Sequence, residues 1–194
     1  VLRAIAGPNS RRKGPVGLIH FDSHSDTYGP YLGITHNAGN WGRLGVEEGL
    51  LDPARVVQIG LNGPVFPESH TWSRDAGFRL IELNEILRDG VPAAIAEIRR
   101  VVGDGPVYLT FDVDVISLAE APGVANPAAG GLTMNEVFQF LVGLRGIDLV
   151  GADIVCFVPG YDPSQITAIG IVHIMHHLAT LLAETVERGR GAVS

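Results

Sequence analysis

The sequence predicts an α/β domain of three layers, with a mainly parallel sheet held between helices. Three observations carry that prediction. Short apolar runs bounded by Gly and Pro alternate with longer stretches of helical spacing. The runs are apolar at consecutive positions, as strands covered on both faces require. Two of them stop in acidic tails, at the kind of strand end where open parallel sheets carry their ligands.

Taken in order, residues 1–6 read as the tail of a helix already under way, without an initiating Met. One domain spanning residues 1–194 is therefore expected, incomplete at its N-terminus. Strands are predicted at 16–21, 55–61, 79–82, 107–111 and 149–157, and helices at 38–49, 83–102, 133–144 and 163–188. The third helix has explicit end signals. Thr133 followed three residues later by Glu136 is a capping-box pattern, and Gly143 and Gly146 mark the stop. The Gly/Pro-rich stretch 121–131 reads as an ordered loop between strand and helix.

Composition narrows the function classes. Of 194 residues, 46% are hydrophobic and 18% charged, which excludes a chain too polar to fold. Fourteen Lys+Arg against 21 Asp+Glu give a net charge of −7, and only Arg11, Arg12 and Lys13 cluster, so no nucleic-acid partner is expected. The single cysteine, Cys156, has no partner for an internal disulfide, and a reducing, cytoplasmic setting is expected. Nothing in the run of apolar residues calls for a membrane partner.

The most informative stretch is Ile19-His20-Phe21-Asp22-Ser23-His24-Ser25-Asp26. An apolar strand runs straight into Asp-x-His-x-Asp, and alternate residues of an extended chain project to one side. Asp22, His24 and Asp26 would then converge. The strand at 107–111 ends in Asp112-Val113-Asp114, which repeats the geometry with two carboxylates. Four carboxylates and one imidazole at neighbouring strand ends repel one another unless cations intervene. Mostly oxygen donors with one nitrogen favour Mn2+ among divalent ions, and two carboxylates could bridge an ion pair. Singly, each of these Asp residues could as well cap a turn.

Together these residues resemble the ureohydrolase family of arginases and agmatinases. The phrase His20-Phe21-Asp22-Ser23-His24-Ser25-Asp26-Thr27-Tyr28 is similar to the agmatinase form of the family's Asp-Ala-His-x-Asp motif, with Ser23 in place of Ala. Thr110-Phe111-Asp112-Val113-Asp114, then Ala121-Pro122-Gly123 and Gly130-Gly131-Leu132-Thr133, resembles the second signature. The resemblance implies an arginase-like fold and a trimeric or hexameric homo-oligomer. It also implies two Mn2+ ions bridged by Asp22 and Asp112, with Asp26 on one ion and His24 and Asp114 on the other. An ion-bridging hydroxide would attack a guanidinium carbon of a small guanidino or amidino substrate, releasing urea and an amine. His36, ten residues after Asp26, falls where relatives carry a proton-shuttling histidine.

Departures from the pattern bear on that expectation. The family's first metal histidine lies upstream of Val1. Ser117-Leu118 stands where Asp-Pro is usual, and Cys156 stands where the family carries a Glu that pairs with the substrate guanidinium. A thiol cannot supply that charged pairing. Read without the resemblance, Cys156 is a small buried residue at a strand end, and His173, His176 and His177 are packing or subunit-contact residues of a long helix. Two other functions compete. One is a deacetylase or amidohydrolase with a single zinc on Asp22, His24 and Asp112, and the other is a binding or assembly subunit without guanidine hydrolysis.

Overall fold

The apolar runs pair into one sheet in the order β3-β2-β1-β4-β5, every neighbouring pair parallel. The strands are β1 Val16–Phe21, β2 Leu51–Leu61, β3 Arg79–Glu82, β4 Val107–Asp112 and β5 Leu149–Val155. The helices are α1 Leu2–Ala6, α2 Trp41–Glu47, α3 Pro67–Ala76, α4 Leu83–Asp89, α5 Val91–Val102, α6 Met134–Gly143 and α7 Ile166–Gly191. The computed structural model describes residues 1–10, 14–64 and 67–191, so the basic cluster Arg11, Arg12 and Lys13 lies outside the described residues.

Strand residues alternate between two cores, which explains their continuous apolarity. Ile19, Phe21, Val57, Ile59, Leu109 and Phe111 pack against α4 to α7, where Ile98, Phe140, Ile174 and Leu178 are buried. Phe21 lies 5.2 Å from Phe111 and 5.4 Å from Phe140, ring centre to ring centre, so aromatic contacts lock this side. On the other face Val16, Leu18, Val56, Leu80 and Tyr108 meet residues of α1, α2 and α3. His20, Gln58 and Thr110 follow the same alternation and are buried on this second side.

Several boundaries differ from the sequence reading, each for a local reason. β2 begins at Leu51, because Leu51 pairs with Val16 and a register shift then absorbs Pro53, which has no N–H to donate. The helix expected over 83–102 is two helices, since Gly90 at φ 84° turns the chain and Pro92 opens α5. The segment 38–49 starts with a 3-10 turn at Ala38–Asn40 before α2. α3 was not expected, because its sequence is mostly polar. The capping box is present, with Thr133 accepting from the Glu136 N–H at 3.2 Å and Glu136 accepting from the Thr133 N–H at 2.7 Å. Among the described residues, α7 is long and apolar enough to cross a membrane by length and composition, though it also packs on β5 and α6.

Candidate metal centre

Chain order and sheet order diverge at one place. From β1 the chain builds outward through β2 and β3, then returns to lay β4 on the opposite side of β1. Between β1 and β4 the two halves lead away from each other and leave a crevice at the strand ends. Phe21 and Phe111 are in register, so Asp22 and Asp112 emerge side by side at that crevice.

The two acidic segments do not stay extended, contrary to the sequence expectation. After β1 the chain turns, the His24 N–H donating to Asp22 Oδ1 at 2.6 Å, and Asp26 takes a left-handed backbone at φ 49°. After β4 a 3-10 turn at Val113–Val115 follows, and Asp112 Oδ1 accepts the Asp114 N–H at 2.9 Å. Side chains spread around Asp22 instead of lining one side. Two groups result, each with its ligand atoms within 4.8 Å: Asp22 with His24 and Asp114, and Asp22 with Asp26 and His20. Asp22 belongs to both. Asp112 joins neither group; its Oδ1 accepts the Asp114 N–H, and its carboxyl also meets the Cys156 thiol.

Surrounding groups hold these donors in place. Ser23 donates its backbone N–H at 3.1 Å and its hydroxyl at 2.8 Å to Asp114 Oδ1, clasping the β1 end to the β4 end. The other oxygen, Asp114 Oδ2, is buried without a hydrogen-bond partner and lies 3.1 Å from His24 Nδ1. The Trp41 indole N–H donates to Asp26 Oδ2 at 2.9 Å. Gly63 lies so close to His24 that a Cβ there would stand 2.6 Å from its Nε2.

The electrostatics are those of crowded buried acids. Burial pushes the Asp22 carboxyl up, yet the His20 and His24 contacts hold it down at about 2. Burial, then the Asp22 charge, raises Asp26 to about 6. Burial, then the Asp22 and Asp114 charges, raises Asp112 to about 8. Hydrogen bonds to Asp114 and Asp22 raise the His24 imidazole to about 10. For His20 burial is the largest influence and lowers it, but Asp22, Asp26 and Asp112 together outweigh burial and raise it. Such a set favours a divalent cation, because one dication neutralises several of these charges at once. Its donors, carboxylate oxygens with the imidazoles of His24 and His20 at hand, fit manganese.

Other residues singled out from sequence fall in different places. His36 is exposed, 3.1 Å from the Thr35 hydroxyl and outside both groups, on the loop beside a cavity of about 740 Å3 lined by Thr27, Tyr28, Tyr31 and Asn37. Cys156 is not a buried apolar residue: it lies half-exposed just beyond β5 with φ 66°, and its thiol bonds to Asp112. Burial and that carboxylate raise the thiol, which keeps it protonated. His173 and His176 are exposed on α7, while His177 stacks 5.3 Å from Phe138. The zinc set Asp22, His24 and Asp112 is not gathered, since His24 groups with Asp114 instead. Sequence reasoning missed His20, Gln58, Trp41 and Gly63; for His20 a signal existed, its position two residues before Asp22 on the same strand face.

Comparison with known proteins places this geometry. Residues 1–180 match the family model of the arginase family. A guanidinopropionase from Pseudomonas aeruginosa is 47% identical over 91% of this chain and 56% of its own length, and a guanidinobutyrase from the same organism 39% over 97% and 58%. A mitochondrial agmatinase from Gallus gallus is 37% identical over 94% of the chain and 53% of its own length. Among solved structures, proclavaminate amidino hydrolase from Streptomyces clavuligerus superposes with a TM-score of 0.86 at 34% identity, covering 95% of this chain and 59% of that one. A formiminoglutamase from Trypanosoma cruzi, solved with Mn2+, gives 0.80 at 26% identity, covering 90% and 58%. The chain spans a little over half the length of the curated relatives it matches. By sequence and by fold, the chain belongs to the arginase family.

Proposed function

We propose that this chain forms the metal-holding part of a binuclear manganese amidinohydrolase, which cleaves a C–N bond of a small guanidino or amidino compound and releases urea and an amine. The observation that carries the proposal is the place of Asp22 in two groups of donors, with His24 and Asp114 in one and Asp26 in the other, as a carboxylate shared by two ions requires. Names borne by similar proteins support the substrate class, and a short guanidino acid is the first candidate, because the guanidinopropionase shares more identity than the agmatinase.

When bound, a manganese pair supplies Lewis acidity and activates water near neutral pH. The chain's own residues do the rest. Asp22, with Asp112 beside it, would hold both ions, while His24 and Asp114 would hold one of them and Asp26 the other. Ser23 keeps Asp114 aimed, and Trp41 keeps Asp26 aimed. His36, exposed on its loop beside the Thr35 hydroxyl, carries a proton between the departing amine and solvent, a task suited to an imidazole. Cys156 leaves the guanidinium without the carboxylate partner found in the family pattern. We further propose a cytoplasmic homo-oligomer, supported by a single cysteine with no partner for an internal disulfide and by the exposed Ile166, Ile169, Val172 and Met175 along α7.

The test is metal content with turnover in the full-length protein. Two equivalents of manganese and urea release from guanidino acids are expected. One tightly held zinc would support the deacetylase reading, and two bound ions with no turnover on any guanidino or formimino compound would support a binding subunit.

A further inference from the structure

We infer that Gln58 and His20 form a two-residue relay that sets the direction of the Asp22 carboxylate, with His20 acting as a positioning residue and not as a metal ligand. The inference rests on the binuclear reading above. Proximity alone would make His20 a ligand, since it shares a close group with Asp22 and Asp26. Its hydrogen bonds argue otherwise.

Both ring nitrogens of His20 are engaged. Nε2 lies 2.8 Å from Asp22 Oδ2, and Nδ1 lies 3.1 Å from Gln58 Nε2. The Gln58 amide is itself anchored, because its Nε2 also donates to the Ser25 carbonyl. Both ring nitrogens of His20 are thus occupied by side chains, Nε2 by the Asp22 carboxylate and Nδ1 by the Gln58 amide, which leaves neither turned to a cation.

The rest of the fold keeps this arrangement rigid. His20 and Gln58 are paired directly across β1 and β2, so the sheet register itself sets their spacing. His20 is 2% exposed, Gln58 1% and Ser25 0%, which leaves no water to take over a lost bond. The Trp41 ring meets His20 edge-on, 5.0 Å away at 76°, while its N–H holds Asp26. One oxygen of Asp22 is tied to His20 and the other to the His24 N–H. Rotation of the carboxylate is thereby blocked. Partners of metal ligands act in this way by fixing ligand direction.

The experiment compares wild-type full-length protein with His20→Phe, His20→Gln and Gln58→Met, with Mn2+ as the probe. Calorimetric titration should show Mn2+ affinity falling about 10–100-fold in His20→Phe and in Gln58→Met, the usual cost of losing such a partner. His20→Gln, which keeps an N–H near the Nε2 position, should recover most of it. Electron spin-echo spectra of bound Mn2+ should show the same directly bonded nitrogen in His20→Gln as in wild type. Loss of a bonded-nitrogen signal in His20→Gln would make His20 a ligand and overturn the inference. Wild-type affinity in both His20→Phe and Gln58→Met would also overturn it. Should His20→Phe fail to fold by circular dichroism, Gln58→Met decides alone. A wild-type protein that binds no Mn2+ would overturn the binuclear reading and the relay with it, whereas a failed relay leaves wild-type binding intact.

Discussion

Replacing Cys156 with Glu should destabilise the metal-free protein, and manganese should reverse the effect. Cys156 follows Val155, which pairs with Asp112, and its thiol already bonds to that carboxylate. A Glu there adds an acid to Asp22, Asp112 and Asp114. Above the Asp112 value of about 8, where that carboxyl is ionised, a second negative charge about 5 Å away costs about 3 kcal/mol at an effective dielectric of about 20, so the melts belong at about pH 9. The position is half-exposed, so solvent screening places the real value below that figure. Three kcal/mol corresponds to a fall of about 6–12 °C in Tm for a domain of this size, and screening shortens the fall accordingly. The backbone adds nothing, since Cys and Glu both lack the freedom of Gly at φ 66°. Thermal melts with and without Mn2+ test the first half: the deficit should close when the ion is added. Urea release tests the second half. If the added carboxylate reaches a substrate guanidinium, a buried pair of this kind contributes about 2–5 kcal/mol, or about 30- to 5,000-fold in kcat/KM. Equal melting deficits with and without Mn2+ would show that Cys156 does not face the ion site. Brisk agmatine hydrolysis by the unmodified protein would show that another acid already does this work.

Asp22→Asn should abolish binding of both ions, because a neutral amide lacks the charge shared between the two groups; near-normal metal content by elemental analysis would refute the sharing. Asp26→Asn should weaken one ion far more than the other, which stepwise calorimetry resolves. His36→Asn should keep two metals while lowering turnover about 10²–10⁴-fold, and unchanged turnover would remove His36 from the chemistry. Gly63→Ala should lower Mn2+ affinity, since the new Cβ would stand 2.6 Å from His24 Nε2 and 3.0 Å from the Ser23 carbonyl, forcing the ring aside. Manganese binding should release protons near neutral pH, because Asp112 at about 8 and His24 at about 10 hold protons that an ion displaces. Affinity therefore falls as pH falls, and more steeply below each value, with one proton displaced below about 10, two below about 8 and three below the Asp26 value of about 6; titrations in buffers of different ionisation enthalpy would report the released protons.

Much of this was legible in advance because the signals were local. Continuous apolarity in Val16–Phe21 announces a strand covered on both faces, and the box at Thr133 and Glu136 marks a helix start to the residue. The candidate donors at 22, 24, 26, 112 and 114 were legible for the same reason, and all but Asp112 fall into the close groups around Asp22. Their directions were not. Extended-chain alternation placed Asp22, His24 and Asp26 together, whereas an Asx-type turn and a left-handed Asp26 send His24 and Asp26 to opposite sides of Asp22. The supporting groups were less visible still, since Gln58 and Trp41 are 36 and 19 residues from Asp22 and meet it only through sheet register and helix packing. α3 escaped because its face toward the core is carried by Ser69, Trp72, Ser73 and Ala76, a weak apolar pattern.

The clasp between Ser23 and Asp114 joins residues 91 positions apart, and it exists only where the ends of β1 and β4 already lie side by side. Contacts of such long reach form late, after the entropy of closing the loop between them has been lost. A cation resting on both strand ends therefore has nothing to hold in the early, partly assembled chain. The stabilisation from such a cation would fall on the exit from the native state: added manganese should lengthen the lifetime of the folded molecule and leave the speed of its assembly almost unchanged.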